Sequence, residues 1–92
     1  MAVEVRIPTI LRTFTGGEKA VEGAGTTLAQ VIDDVDTRYP GLKSRLVESQ
    51  NLRRFVNVYV NDEDVRFSGG LEAPTTDGDV VVVLPAVAGG AL

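Results

Sequence analysis

One segment constrains the architecture more than any other. From Thr27 to Pro40, apolar side chains recur at Leu28, Val31, Ile32 and Val35, the i, i+3, i+4, i+7 spacing of a single helical stripe. Thr27-Leu28-Ala29-Gln30 matches a capping box, so the Thr27 hydroxyl should accept the backbone N–H near Gln30 and start the helix. Pro40-Gly41 should stop it, because proline disfavours helical angles at Tyr39 and lacks a backbone donor. Asp33, Asp34, Asp36 and Arg38 mostly take the wet face, with Asp34 and Arg38 spaced as an i, i+4 pair. A helix with one apolar stripe must bury it against something, and the flanking sequence has the period of strands.

On the N-terminal side, Val3-Glu4-Val5-Arg6-Ile7 alternates apolar and polar, which predicts a half-buried strand. Ile10-Leu11 is expected to extend that run beyond Pro8. Thr15-Gly16-Gly17 then reads as a hairpin turn, Glu18 to Glu22 as the returning strand, and Gly23-Ala24-Gly25 as its break. After the helix, Leu42 to Val47 suggests a short second helix. Arg54 to Val60 predicts a strand with Val56, Val58 and Val60 on one face and Phe55, Asn57 and Tyr59 on the other. Asn61-Asp62-Glu63-Asp64 reads as a tight polar turn into a strand at Val65-Arg66-Phe67, and Asp77-Gly78-Asp79 as the turn into Val80 to Leu84. That apolar run is either covered on both faces or presents a sticky outer face. The expected fold is an α+β roll, a mixed five-stranded sheet packed on one main helix.

Composition narrows the chemistry. A chain of 92 residues is one domain. With no Cys and no His it has no disulfide framework, no Cys/His zinc site, no cysteinyl iron–sulfur cluster and no Ser/His or Cys/His pair. The net charge of −4 argues against nucleic acid, and Arg53-Arg54 is the one basic pair along the sequence. No apolar leader or membrane-length run stands out, so a cytoplasmic protein with no membrane partner is expected.

Several motifs in order carry a resemblance: Ile7-Pro8-Thr9-Ile10-Leu11-Arg12, Arg54-Phe55-Val56-Asn57, Asn61 through Gly70, Asp77-Gly78-Asp79, and Leu84-Pro85-Ala86-Val87-Ala88-Gly89-Gly90. Over its whole length the chain resembles the ThiS/MoaD family of ubiquitin-like sulfur carriers, and within it the actinobacterial CysO type. The resemblance implies a β-grasp domain over residues 1–85 and a flexible tail over 86–92. It implies that the chain is not an enzyme and binds no cofactor of its own. Its site would be Gly90, adenylated with ATP by a ubiquitin-activating-like enzyme and converted to a thiocarboxylate. The sulfur would pass to an acceptor, such as a pyridoxal phosphate-dependent cysteine synthase or a thiosugar synthase; related carriers serve thiamine or molybdopterin synthesis.

Physical reasons fit such a tail. From Pro85 to Gly90, five extended steps span at most about 17 Å, enough for Pro85, Ala86, Val87, Ala88 and Gly89 to thread a partner's active site. Glycine at both terminal positions passes a constriction that any Cβ would block. Taken alone, Gly89-Gly90 reads first as a frayed end; its place directly after a terminal strand and Leu84-Pro85-Ala86-Val87, together with the resemblance, favours the carrier reading. In this sequence the Gly90 carbonyl is bonded to Ala91, so Ala91-Leu92 must be removed first, by a JAMM-type metalloprotease on the family's analogy, unless the two residues are foreign to the native chain.

Arg54, Phe55 and Tyr59 are candidates for a partner surface: Phe55 and Tyr59 sit beside the Val80 to Leu84 strand, where they are either exposed or covered by the second helix or the Ser68 to Thr76 loop. Arg53-Arg54 would flank that patch. Asp62, Glu63 and Asp64 lack the spacing of an EF-hand, and no metal is expected. Lys19 and Lys43 have no special context. Two other functions share the fold: a ubiquitin-like modifier forming isopeptide bonds with lysines, and a noncovalent β-grasp interaction module with an inert tail.

Overall fold

The computed structural model describes residues 2–54 and 56–85. The elements run β1 (Val3–Arg6), β2 (Ala20–Gly23), α1 (Leu28–Arg38), α2 (Leu42–Leu46), β3 (Val47–Glu48), β4 (Asn51–Leu52), β5 (Val56–Val60), β6 (Glu63–Asp64) and β7 (Val80–Pro85), with 3₁₀ turns at Thr9–Thr15, Val65–Phe67 and Gly70–Glu72. The main sheet has the order β2-β1-β7-β5-β6, and β3 and β4 form a separate two-stranded ribbon. β1 and β7 are parallel, while every other neighbouring pair in the main sheet is antiparallel. Two hairpins joined through a central last strand, with one long helix across a single face, is the ubiquitin-like β-grasp arrangement expected of the chain.

The helix forms as its stripe dictates. Leu28, Val31, Ile32 and Val35 are all buried, against Val3, Val5, Ile7, Val21, Val58, Val81 and Val83 of the sheet. Thr27 Oγ1 accepts from Gln30 N at 3.3 Å, but Gln30 Oε1 accepts from Thr26 N and Oγ1 (2.8 and 3.0 Å), one residue earlier than a standard reciprocal box. Asp34 pairs with Arg38 at 3.1 Å. The second helix also forms; Val47 leaves it for β3.

Three expectations are corrected. Ile10-Leu11 does not extend the first strand: Pro8 turns the chain into a 3₁₀ segment, with Leu11 N donating to Pro8 O (2.9 Å), because Leu11 and Phe14 pack on the core while Ile10 stays outside. The turn after β5 is only Asn61-Asp62, both at positive φ (51° and 71°), the pair of angles that suits a two-residue hairpin. Glu63–Asp64 is therefore the strand, and Val65-Arg66-Phe67 is a 3₁₀ turn capped by Asp64, whose carboxylate accepts from Arg66 N at 2.9 Å. The cap lets Val65 drop fully into the core and leaves Phe67 outside, 86% exposed.

Gly23 and Gly25 do more than end a strand. They let the β2–α1 connection lie directly on the helix: a Cβ on Gly25 would stand 2.6 Å from Gln30 Cβ and 2.8 Å from Val31 N. Because one of those atoms is helix backbone, it cannot simply rotate aside. Gly25→Ala should cost about 1–3 kcal/mol, lowering the thermal midpoint by about 4–8 °C per kcal/mol in a thermal melt.

Candidate functional site

The only chemistry expected of this chain lies beyond the end of β7, so the site begins with what holds that strand. At its start, the Asp77-Gly78-Asp79 turn is tied by three hydrogen bonds to Ala2 and Asn61. Asp77 Oδ1 accepts from Ala2 N (2.7 Å), Gly78 N donates to Ala2 O (2.9 Å), and Asp79 Oδ1 accepts from Asn61 Nδ2 (2.9 Å). Asn61 in turn exchanges bonds with Val80, its N–H donating to Val80 O and its Oδ1 accepting from Val80 N. Gly78 supplies the φ of 91° that this turn requires. Along its length β7 pairs with β1 (Val5↔Val81, Arg6↔Val82) and with β5 (Val58↔Val83, Tyr59↔Val82), the last register pair being Val56↔Pro85. Held on both edges, β7 brings the chain out at Pro85 at a fixed point of the sheet. Ala86, Val87, Ala88, Gly89, Gly90, Ala91 and Leu92 lie outside the described residues.

Asp79 also carries an electrostatic load. The Asn61 side-chain amide, then the Thr76 N–H, hold its carboxyl below the ordinary 3.8. A depressed folded-state pKa stabilises the protein above the unfolded value, and that stabilisation is lost as pH falls through the lower folded value. In urea unfolding, Asp79→Asn should be less stable than wild type at pH 7, and the difference should shrink as pH falls below the ordinary 3.8 and through the lower folded-state value.

The two faces of β7 separate cleanly. Val81 and Val83 are buried in the core, whereas Val82 is half-buried and Leu84 is 46% exposed. Of the two alternatives for this apolar strand, the sticky outer face is the one observed. The coverings considered for that face are elsewhere: α2 and the Gly70–Glu72 turn pack against α1, on the opposite side of the sheet. Loop residues 72–76 stay there too, with Ala73 O accepting from Leu28 N and Thr75 N donating to Thr26 O.

The three candidate surface residues divide. Tyr59 lies on the outer face, opposite Val82 in register and half-buried. Phe55 lies outside the described residues. Arg54 is not beside Tyr59: it lines a cavity of about 310 Å³ with Val56, Val58 and Leu71, on the side of β5 that carries Val58 into the core. Lys43 has a context that its sequence position hid, an ion pair with Asp33 at 2.5 Å that raises its pKa. Asp36 turns out to accept from Gly41 N and Lys43 N, bracing the α1–α2 junction. Among the described residues no group of three or more acidic side chains could hold a metal ion, and no helix is long and apolar enough to cross a membrane.

Sequence reasoning missed a group of cations around the exit of β7. Arg6 (β1), Arg12 (in the 3₁₀ segment) and Lys19 (before β2) surround a groove of about 330 Å³ together with Val82 and Leu84. They are separated along the chain and meet because Ile7 N donates to Lys19 O (2.8 Å) and Arg12 Nε donates to Ile7 O (3.0 Å).

Known proteins share this frame over nearly the full chain. The sulfur carrier protein CysO of Mycobacterium tuberculosis is 57% identical over 93 residues, covering 98% of this chain and all of that protein. A chain in the crystal structure of the Amycolatopsis orientalis BexX/CysO complex superposes with a TM-score of 0.93 at 66% identity, covering 97% of this chain and 100% of that one. Small archaeal modifier protein 3 of Haloferax volcanii is 38% identical over 64 residues, 70% of each chain. The ThiS family model matches residues 5–90, from the second residue of β1's core face to the glycine pair beyond β7. By that match and these likenesses, the chain belongs to the ThiS family of ubiquitin-like proteins.

Proposed function

We propose that this protein is a sulfur carrier whose reactive group is the Gly90 carboxyl, acting as a protein substrate for other enzymes. The observation that carries the reading is the position of β7: the central strand, paired on both edges, leads at Pro85 into a sequence with Gly89-Gly90 at its far end. The likeness to sulfur carrier proteins across the full chain supports it. Five extended steps, about 17 Å at most, separate the folded body from Gly90, so the carboxyl enters a partner's active site while the body stays outside.

Removal of Ala91-Leu92, assigned to a JAMM-type metalloprotease, frees the Gly90 carboxylate. That oxygen attacks the α-phosphate of ATP on a ubiquitin-activating-like enzyme; the new bond is an acyl phosphate and pyrophosphate leaves. Sulfide then attacks the acyl carbon, AMP leaves, and the product is the Gly90 thiocarboxylate. Its sulfur passes to an acceptor, for which cysteine biosynthesis on a pyridoxal phosphate-dependent synthase is the reading adopted and a thiosugar synthase the other candidate. Residues 86–92 serve as the tail, and the cytoplasm, where ATP is available, is the compartment assigned.

The trimmed protein, incubated with ATP, its cognate activating enzyme and sulfide, should gain 16 mass units by replacement of oxygen with sulfur. Absence of both pyrophosphate exchange and that mass change sinks the reading. The likeness to small archaeal modifier protein 3 favours a second one, isopeptide conjugation to lysines through the same carboxyl. Finding lysine conjugates of the trimmed protein in host lysate, with no thiocarboxylate, would select it.

A further inference from the structure

The main sheet ends in two edges, β2 and β6, and they differ in how far they are open to another strand. β6 is two residues long, too short to template much pairing. β2 runs four residues, Ala20–Gly23, and its bonding pattern is set by the Ile7 N to Lys19 O hydrogen bond (2.8 Å). Hydrogen-bonded and non-bonded pairs alternate along an antiparallel ladder, so in the register Arg6↔Ala20, Val5↔Val21, Glu4↔Glu22 it is Val21 that bonds β1. Ala20 and Glu22 therefore turn their N–H and C=O groups outward, along an edge where both residues are exposed. That edge is self-complementary: a second copy running antiparallel places Ala20 opposite Glu22 and Val21 opposite its own counterpart. Val21 then stays on the core face of both sheets, and the two Glu22 carboxylates are not directly opposed.

One ion pair interrupts this edge. Arg38 Nη2 donates to Glu22 O, Arg38 Nη1 meets Asp34 Oδ2 at 3.1 Å, and the same Asp34 oxygen accepts from Ala24 N at 2.9 Å. A C=O and the N–H two residues on are the pair of groups that a single residue of a parallel neighbouring strand would bond. Two side chains of α1 thus stand where a residue of a further strand would. They also take the Glu22 carbonyl that the antiparallel copy needs. Both side chains are a third or more exposed, so as a salt bridge the pair adds little to stability. The Ala24 N–H, then Arg38, hold the Asp34 carboxyl below its ordinary 3.8, in keeping with both contacts. We propose that the Asp34–Arg38 pair is a guard on the β2 edge: it closes a latent interface for a second copy of this chain and keeps the protein monomeric. The inference does not depend on the carrier reading.

Sedimentation equilibrium and amide exchange decide it. Wild type should remain monomeric up to about 1 mM, the affinity range of a small contact. Asp34→Ala/Arg38→Ala should rise to about 1.5 times the monomer mass at that concentration, half of its chains then being in dimers. Adding Ala20→Pro to the double variant should return it to the monomer mass while it stays folded, because proline there removes an outward donor and no bond to β1. A folded double variant that stays monomeric overturns the guard, and so does a wild type that associates as strongly. Association unaffected by Ala20→Pro overturns the interface at β2. The wild-type chain supplies the second measurement, whatever the folding of the variants. In amide hydrogen exchange Ala24 should be about 10-fold slower than Ala20 and Glu22, the effect of one hydrogen bond. Equal rates at the three amides overturn the guard.

Discussion

Gly90→Ala, in a chain ending at residue 90, is expected to lower the rate of adenylation by about 100-fold, the scale on which a misplacement of about 1 Å at a reacting centre acts. On the proposed reading, the added methyl group would meet the wall of a passage that admits bare backbone, and it would remove angles that only glycine adopts easily. Because residue 90 lies beyond β7, the melting temperature should not move. Pyrophosphate exchange and a thermal melt on the same sample check both halves. An unchanged rate would show that the activating enzyme tolerates a side chain there and would remove the reason for glycine at the position.

Leu28→Ala is the counterpart for the fold. Leu28 is fully buried at the first turn of α1, and its N–H donates to Ala73 O, so it joins the helix, the sheet and the 72–76 loop. Truncating it should cost about 3 kcal/mol, the middle of the range for buried leucine. A domain of this size has about 5–14 kcal/mol in total, so the melting midpoint should fall by about 15 °C. Ile10→Ala, at a site 52% exposed, should shift it far less. Comparable losses in the two variants would contradict the burial pattern described above.

What could be read from the sequence was whatever rests on a period or on a local cap. The stripe of α1, the alternation of Val3, Val5 and Ile7, and the turns at Asp77-Gly78-Asp79 all follow from neighbouring residues. The misread segments are those in which tertiary packing overrides local pattern. Val65-Arg66-Phe67 alternates like a strand, yet its outcome depends on the Asp64 cap and on a core site for Val65. Ile10-Leu11 looks extended, yet Leu11 and Phe14 find the core only if the chain coils after Pro8. The group of cations at the β7 exit was illegible for a different reason: residues 6, 12 and 19 form no sequence cluster, and it is the Ile7–Lys19 and Arg12–Ile7 hydrogen bonds that bring them to one end. Arg53-Arg54, the pair that did stand out, lines a cavity on the other side of β5.

The strand order has a mechanical consequence. A load applied to the chain beyond Pro85 enters the body along the axis of β7. Because β7 is flanked by β1 on one edge and β5 on the other, the inter-strand hydrogen bonds lie across the direction of pull. They are loaded together in shear, not opened one after another as at the end of a hairpin. Such tension is thus shared along the middle of the sheet and does not unravel the body from one end.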